Sequence, residues 1–566
     1  MPRSGRAGLG LYSVSDIGRL AERFWTFELR RRPTEALLIG IHDFDGEIED
    51  LSRRAEDDSV AELTAIAGQA EAVDPATLND DERTSRAVLI EEAKSRAADL
   101  ANRVAEIDVS GFRGPHLAYL NSATLLPLTE PAHAESLVAK WSRIAGVLDQ
   151  AAHRLRQGMA KGRTPTEHAC RVVDRQITEY LALPIDQDPF VVGPPRPPAF
   201  SDTEDHDFRD RLATVVRDSI RPGYERYRAV IEQEVLPKAR PDDRPGLCWL
   251  PDGKATYAAA LRIHTTVETT PHDVHQTGRD EIAHLENEYR AFDDSNDVAA
   301  IYERLRSDPS LRFETPDEIV AAAEAALARA EAAVPRWFGL RHQASCEVRV
   351  MPAVGAADST IAYYNLPADD GSRPGIYFIN TTEPATRTRF EAEALAFHES
   401  VPGHHLQLAL SQELDLPDFR RHAFITAFHE GWGLYTERLA DEMELYSGDV
   451  ERLGMLSFDS WRSCRLVVDT GIHALGWSRQ EAIEFMLENS PQATNNIANE
   501  VDRYIAWPGQ ATAYKTGQLA IRRARDRAQR LMGDRFDIKT FHDVLLGAGS
   551  LPLPVMEARI SDWATD

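Results

Sequence analysis

The run Phe397-His398-Glu399-Ser400-Val401-Pro402-Gly403-His404-His405-Leu406-Gln407 packs three imidazoles and a carboxylate into eight residues, His398 to His405. That is the raw material of a catalytic zinc site. Such a site takes three protein ligands, leaves one position open for water, and has a carboxylate nearby to accept that water's proton. The common helical arrangement, His-Glu-x-x-His, sets two imidazoles four residues apart on one helical face. Here the fourth position is Pro402, which cannot bind metal, and the next imidazole comes six residues after the first. Either the motif is a variant with an inserted Pro-Gly kink, or it is not a zinc site.

On an unbroken helix, at ~100° per residue, His398 and His404 would point in well-separated directions. His398 and His405 would align but stand ~10 Å apart along the axis, too far for one ion with bonds of ~2 Å. Both problems demand a distortion between Val401 and His404. Pro402 removes a helical donor and clashes with the preceding turn, and Gly403 permits backbone geometry that other residues resist. Such a bulge would bring His404 back towards His398, with His405 as the other candidate. Glu399, next to His398, is placed to act as general base.

The third ligand must come from elsewhere. Ala427-Phe428-His429-Glu430-Gly431-Trp432-Gly433-Leu434-Tyr435-Thr436-Glu437-Arg438 lies downstream, with Glu430 26 residues after His404 (430 − 404). That spacing leaves room for a helix, a turn and a returning helix. Gly431 and Gly433 would let another backbone come close. Taken alone, Glu430 reads equally well as a solvated carboxylate at a helix start; beside the first segment it reads as a ligand.

The phrases HESVPGHHLQ, FHEGWGLYTERL, LVVDTGIHALGW and PGQATAYKTGQL resemble the bacterial domain-of-unknown-function 885 family, over most of the chain from about Leu20 onwards. That family is grouped with gluzincin-type metallopeptidases. There is a more distant likeness to the thimet-oligopeptidase group, whose helix reads His-Glu-Phe-Gly-His. Gly403-His404 matches its Gly-His after a two-residue insertion. The resemblance implies one Zn2+ per chain held by His398, His404 and Glu430, with Glu399 as general base. It also implies that Tyr514, in Gly509-Gln510-Ala511-Thr512-Ala513-Tyr514, stabilises the oxyanion. The inserted residues leave the choice between His404 and His405 open.

Other groups have plain structural readings beside functional ones. His429 reads as a buried, hydrogen-bonded imidazole. Asp469 and His473 stand at i and i+4, as do Arg465 and Asp469, so a buried Arg-Asp-His line could support the site, with His473 as an alternative oxyanion donor. Arg522, Arg523 and Arg525 could include a clamp for a substrate carboxylate, though most arginines in such runs face solvent.

The elements that must position these groups are mostly helical, with apolar spacing of three and four residues. Helices are expected from Ser13-Val14-Ser15-Asp16 through Arg30, and over Asp80 to Arg103, Pro131 to Gly158, Asp205 to Leu236 with a break at Pro222-Gly223, Pro316 to Phe338, Arg389 to Phe397 and Leu456 to Leu475. The Pro-rich stretch from Asp186 to Phe200 reads as a loop. Thr256–Thr266, Cys346–Val350, Ala362–Asn365 and Gly375–Asn380 read as extended. The last two would form a hairpin beside the zinc helix, either purely structural or an edge for substrate backbone. The fold class is therefore mainly α with a small β-sheet, a large zincin-like helical fold with a deep cleft. Its lobes would be an N-terminal helical one over 1–240 and a catalytic one over 241–566.

The balance of 64 basic against 91 acidic residues, net −27, argues against nucleic acid and against an anionic membrane surface. No run approaches the ~20 apolar residues of a membrane span. No apolar stretch of signal length follows the first residues, so a cytoplasmic protein is expected. Cys170, Cys248, Cys346 and Cys464 are far apart and read as reduced thiols. The leading expectation is a zinc metallopeptidase cleaving short peptides. The alternatives are a metal-dependent amidohydrolase or esterase on a small non-peptide substrate, and a non-catalytic scaffold. Oligomeric state is not legible in the sequence.

Overall fold

The computed structural model describes residues 15–292, 297–351, 360–368, 371 and 373–565. The chain divides into two compact units. The first takes residues up to Asp74, Arg96–Asp242 and a short piece from Ala368; the second takes Pro75–Ser95, Asp243–Pro367 and Arg373 onwards. The 75–95 segment, expected in the N-terminal lobe, thus packs within the second unit. No helix among the described residues is long and apolar enough to cross a membrane, and no disulfide forms among the described residues.

The first unit is helical around a core that includes Trp141, Phe190, Tyr224 and Tyr227. Its helix starts follow side-chain capping: the Ser15 hydroxyl accepts from Gly18 N–H at Asp16–Arg31, and Ser201 and Glu204 form a reciprocal box at Asp202–Val215. Two expected boundaries move. The helix expected over Pro131–Gly158 is two, Pro131–Trp141 and Ile144–Ala160. Conversely, Pro222-Gly223 does not end the run that starts at Asp202. A π turn at Val216–Ile220 shifts the hydrogen-bond ladder just ahead of the proline, and Arg221–Val230 continues. Gly223 serves packing: a Cβ there would lie 2.8 Å from Ala145 Cα. Within the expected loop, Pro189–Val192 forms one helical turn capped by Asp188.

The second unit carries the candidate site. Its relevant helices are α1 (Gly253–Thr265), α2 (Pro271–Arg290), α3 (Pro316–Trp337), α4 (Ala392–Glu399), α5 (His404–Glu413), α6 (Thr426–Glu442), α7 (Asp449–Thr470), α8 (Thr494–Ala506) and α9 (Ala513–Met532). Thr256–Thr266, expected as extended, is therefore helix α1. The Ala258-Ala259-Ala260 centre favours helix, and Tyr257, Leu261 and Thr265 bury one face at intervals of four.

Three strands, β1 (Cys346–Val350), β2 (Ala362–Asn365) and β3 (Gly375–Ile379), form a sheet in the order β1-β3-β2. β2 and β3 pair antiparallel, with Tyr364 opposite Tyr377, while β1 runs parallel to β3. Every residue of β3 is buried. Its face bearing Gly375, Tyr377 and Ile379 turns to α4 and α5: a Cβ on Gly375 would touch the His405 ring at 2.5 Å.

Helix α6 crosses α9 where both lack side chains. A Cβ on Gly431 would lie 2.5 Å from Gly517 Cα, and one on Gly517 would lie 1.8 Å from the Ala427 carbonyl oxygen. Gly517→Ala must push these helices apart, at a cost of about 1–3 kcal/mol or more. Exposed Gly68, whose added Cβ would meet nothing within 4 Å, is the control. Gly68→Ala is expected to stabilise by about 0.5–1 kcal/mol through helix propensity. Thermal unfolding should shift in opposite directions for the two variants; a common direction would refute the packing account.

Candidate metal centre

Helix α4 does not bulge between the imidazoles; it stops. Its last turn closes with Ser400 N–H donating to Ala396 O at 2.8 Å, and α5 begins at His404. Ser400 (φ −108°, ψ −113°) and Gly403 (φ −77°, ψ −128°) carry the chain between them, with a cis Val401–Pro402 peptide. His405 N–H donates back to Ser400 O at 3.0 Å. Gly403 lies so close under α4 that a Cβ would stand 1.9 Å from His398 O. The carbonyls freed by the break are not left bare. The Trp432 indole N–H donates to Pro402 O (3.0 Å) and Gly403 O (3.2 Å), and the Thr436 hydroxyl to Phe397 O (3.2 Å). A buried carbonyl without such a donor would cost about 1–3 kcal/mol.

Both donors sit on α6, which also delivers the carboxylates. Glu430, Gly433 and Glu437 stand at i, i+3 and i+7 and so share one face. Glu430 Oε2 lies 3.6 Å from His398 Nε2 and 3.4 Å from His404 Nε2. Gly433 is the gap the His398 ring fills: a Cβ there would stand 2.6 Å from its Cε1. Glu437 Oε1 accepts from His398 Nδ1 at 2.8 Å. That bond orients the ring with Nε2 facing His404 and Glu430. The His398 and His404 rings meet edge-on, 4.7 Å between centroids at 85°.

Burial opposes charge on His398, but hydrogen bonds to Glu430 and Glu437 outweigh it and lift the imidazole to about 9. Burial likewise opposes charge on Glu430, and the two imidazoles hold it well below the ordinary carboxylate range. The protein thus concentrates opposite charges in a buried space. His398 is almost fully enclosed, while the His404 and Glu430 side chains each keep 11% exposure, which marks the side open to approach.

His398, His404 and Glu430 are a set of donor atoms within 4.8 Å of one another. Donors ~2 Å from one ion at tetrahedral angles stand ~3.3 Å apart, close to the separations to Glu430. His404 Nδ1 is buried without a partner. Two imidazoles and one carboxylate suit zinc, iron, cobalt or manganese. These residues fit a metal ion.

The other expected residues are distributed as follows. His405 points away from the cluster: Nδ1 pairs with the Tyr364 hydroxyl (2.8 Å) and Nε2 with Ala344 O (3.0 Å). Burial and the neighbouring His342 push it down to about 3, so it is neutral. His429 is a buried hydrogen-bonded imidazole, held by Gln407 Oε1, Ala423 O and the Ser550 hydroxyl. Glu399 is buried on α4. Its charge reaches Tyr377 on β3, whose fully buried hydroxyl has no partner. Tyr514 lies at the start of α9, its ring stacked 6.2 Å from His398 and overlaid by the Arg465 guanidinium at 4.3 Å. Burial raises its phenol, as does Glu430. Lys515 beside it bonds Asp459 (2.5 Å) and Glu281 (2.9 Å), tying α9 to α7 and α2.

His473 does not take an oxyanion role. Nδ1 accepts from Leu247 N–H (3.1 Å) and Nε2 meets Tyr504 O (3.0 Å), so both nitrogens serve the backbone. The expected Arg-Asp-His line is also absent. Asp469 accepts from the Tyr257 hydroxyl (2.6 Å) and Gly509 N–H (3.0 Å), and Arg465 pairs with Glu500 (2.8 Å). The reason is local: α7 ends at Thr470 and a π turn, Gly471–Leu475, rotates His473 off the Asp469 face. Of Arg522, Arg523 and Arg525 on α9, Arg525 bonds Glu442 and Tyr435, and Arg523 lies 3.5 Å from Glu557.

A family model described as "Bacterial protein of unknown function (DUF885)" matches residues 33–560. The chain belongs to this family. No curated protein matches it. A crystal structure from Colwellia psychrerythraea, described as a "putative lipoprotein", is similar to this chain with a TM-score of 0.90 at 25% identity, covering 97% of this chain and 99% of that one. A second, from Shewanella oneidensis and described as a "putative lipoprotein of unknown function", has a TM-score of 0.71 at 18% identity, covering 96% and 99%.

Glu437 is not among the residues expected from the sequence. Its signal was available, a carboxylate seven residues after Glu430 and so on the same helical face. Arg462, on α7, lies 3.9 Å behind it and is itself stacked over Trp461 at 4.0 Å. Partners that orient a ligating imidazole are worth 10–100-fold in metal affinity. Glu437→Gln is therefore expected to weaken zinc binding about 10–100-fold, read by competition with a chromogenic chelator. His404→Ala should lose the ion, and His405→Ala should keep it. Retention in the His404 variant together with loss in the His405 variant would overturn the assignment.

Proposed function

We propose that this chain is a zinc-dependent metallopeptidase with one ion per chain, held by His398, His404 and Glu430. The observation that carries the reading is the convergence of those three side chains from α4, α5 and α6, with Glu399 next to His398. The resemblance of the motif to gluzincin-type peptidases, and distantly to the thimet-oligopeptidase group, supports short peptides as the substrate class.

Bound there, zinc would supply a Lewis acid that brings a water molecule's pKa down to ~7. The chain's own groups divide the remaining work. Glu399 takes the proton from the attacking water and hands it to the leaving amine. Glu437 keeps the His398 ring in one tautomer and one orientation. Tyr514 offers its phenol O–H to the oxygen that becomes negative at the tetrahedral stage. A donor in that role is worth about 3 kcal/mol, and the Arg465 guanidinium over the ring favours a polarised phenol.

Glu399→Gln is expected to abolish peptide hydrolysis while zinc content stays at that of the parent, because the residue is not a ligand. Hydrolysis at parental rate, or loss of the ion, would contradict the assignment. Tyr514→Phe should lower kcat about 100-fold with little change in KM, since its bond forms mainly at the transition state. A rise in KM alone would make Tyr514 a binding group instead.

A further inference from the structure

The stripe of α6 that carries Glu430 runs Thr426, Glu430, Gly433, Glu437, at i, i+4, i+7 and i+11. Its burial changes steadily along the helix. Gly433 and Glu437 are buried against the His398 ring, the Glu430 side chain keeps 11% exposure, and Thr426 is half-buried. Helical side chains lean towards the N-terminus, so the Glu430 carboxylate leans towards the turn of Thr426, ~6 Å along the axis. The stripe therefore comes to the surface at the N-terminal end of α6.

Two other elements meet it there. His264, half-buried near the end of α1, places Nδ1 3.4 Å from the Thr426 hydroxyl. Trp507, half-buried just after α8, stands edge-on to His264, with ring centroids 5.9 Å apart at 81°. Gly509 holds this pair together. With φ +81° it lies so close to α1 that a Cβ would stand 2.9 Å from the Ala260 carbonyl carbon, one helical turn before His264. From Gly509 the chain passes into α9 and Tyr514, as α6 passes from Thr426 to Glu430. Two of the three elements that make this corner thus lead directly to groups of the candidate site.

We propose that His264 and Trp507 form the subsite that selects substrate, receiving an aromatic side chain within two residues of the bond that is cleaved. The proposal rests on the metallopeptidase reading of the same site. Two half-buried rings near a right angle offer a third ring one face to stack on and one edge to meet, and such contacts add to the burial of area. The polar group of the corner, the Thr426 hydroxyl, lies against His264. An extended peptide advances ~3.3 Å per residue, so the ~6 Å along α6 from Glu430 to Thr426 spans about two residues. An aromatic side chain is then favoured over leucine by about three- to tenfold, and over alanine by about tenfold or more.

The test is hydrolysis of peptide sets by the zinc-loaded full chain. Each set varies one position among Phe, Tyr, Leu, Ala and Lys on either side of the cleaved bond, with kcat/KM read by mass spectrometry. Zinc affinity is measured alongside by chelator competition. The expected result is one position, within two residues of the cleaved bond, where Phe and Tyr exceed Leu by about three- to tenfold. In Trp507→Leu the Phe-to-Leu ratio should fall to about one, with zinc held as in the parent. His264→Leu removes the other ring and serves if the first variant does not fold. Cleavage with a flat profile, or one led by Leu or Ala, overturns the subsite while leaving the metallopeptidase reading standing. An aromatic preference that survives both variants places the recognition elsewhere and overturns it too. A profile led by Lys makes Trp507 a surface for cations and overturns the aromatic assignment. Loss of zinc in both variants makes the two rings structural and overturns their role in selection. No cleavage of any peptide by a chain that holds zinc removes the peptidase reading itself, and the subsite with it.

Discussion

Two imidazoles six residues apart can face one another only if the helix between them ends, and an ended helix exposes carbonyls that burial makes costly. This tension organises the second unit. The chain leaves α4 after Glu399, doubles under it through Pro402 and Gly403, and starts α5 at His404. Trp432 and Thr436 on α6 donate to the carbonyls the break sets free. Without them, the geometry that joins His398 to His404 would carry unsatisfied buried polar groups. The same helix supplies Glu430 to both imidazoles and Glu437 to the far side of His398. One element thus both stabilises the interruption and completes the cluster that the interruption makes possible.

For α6 to do this it must lie close to its neighbours on two sides, which explains its glycines in spatial terms. Gly433 leaves room for an imidazole ring, and Gly431 leaves room for the backbone of α9 at Gly517. The approach of α9 in turn sets Tyr514 over His398. Its next residue, Lys515, is locked between Asp459 and Glu281. Arg465, held by Glu500 and Tyr504, lies over the phenol ring at 4.3 Å. The position of Tyr514 is therefore set by helix packing and buried ion pairs together with the His398 and Arg465 contacts of its ring.

Much of this was legible in the sequence, and what was not has identifiable physics. The types of chemistry-bearing residues in the 398–405 run, and the later Glu430, were enough to pick out a group that the fold brings together. A mainly helical chain with a small sheet followed from periodicity, and the strands at 346–350, 362–365 and 375–379 followed from β-branched and aromatic runs. The kink was foreseen as a bulge; the complete stop was not, because its stability comes from Trp432, a tertiary donor that local pattern does not reveal. The choice between His404 and His405 depended on Tyr364 and Ala344, both distant in sequence. His473 was misassigned because i,i+4 spacing assumes an α-helix, and a π turn intervenes. The 256–266 segment, expected as extended, is helical because its alanine centre favours helix and Tyr257, Leu261 and Thr265 bury one face.

The most direct test is a crystal structure of the zinc-soaked protein, with anomalous scattering measured on both sides of the zinc edge. The account predicts one strong anomalous peak, bonded at ~2.0–2.2 Å to Nε2 of His398, Nε2 of His404 and a carboxylate oxygen of Glu430. It also predicts that His405 stays on Tyr364 and Ala344. No peak at that position, or an ion held instead by the stacked His42 and His133 rings with Asp45, the other cluster of metal-binding side chains among the described residues, would contradict it.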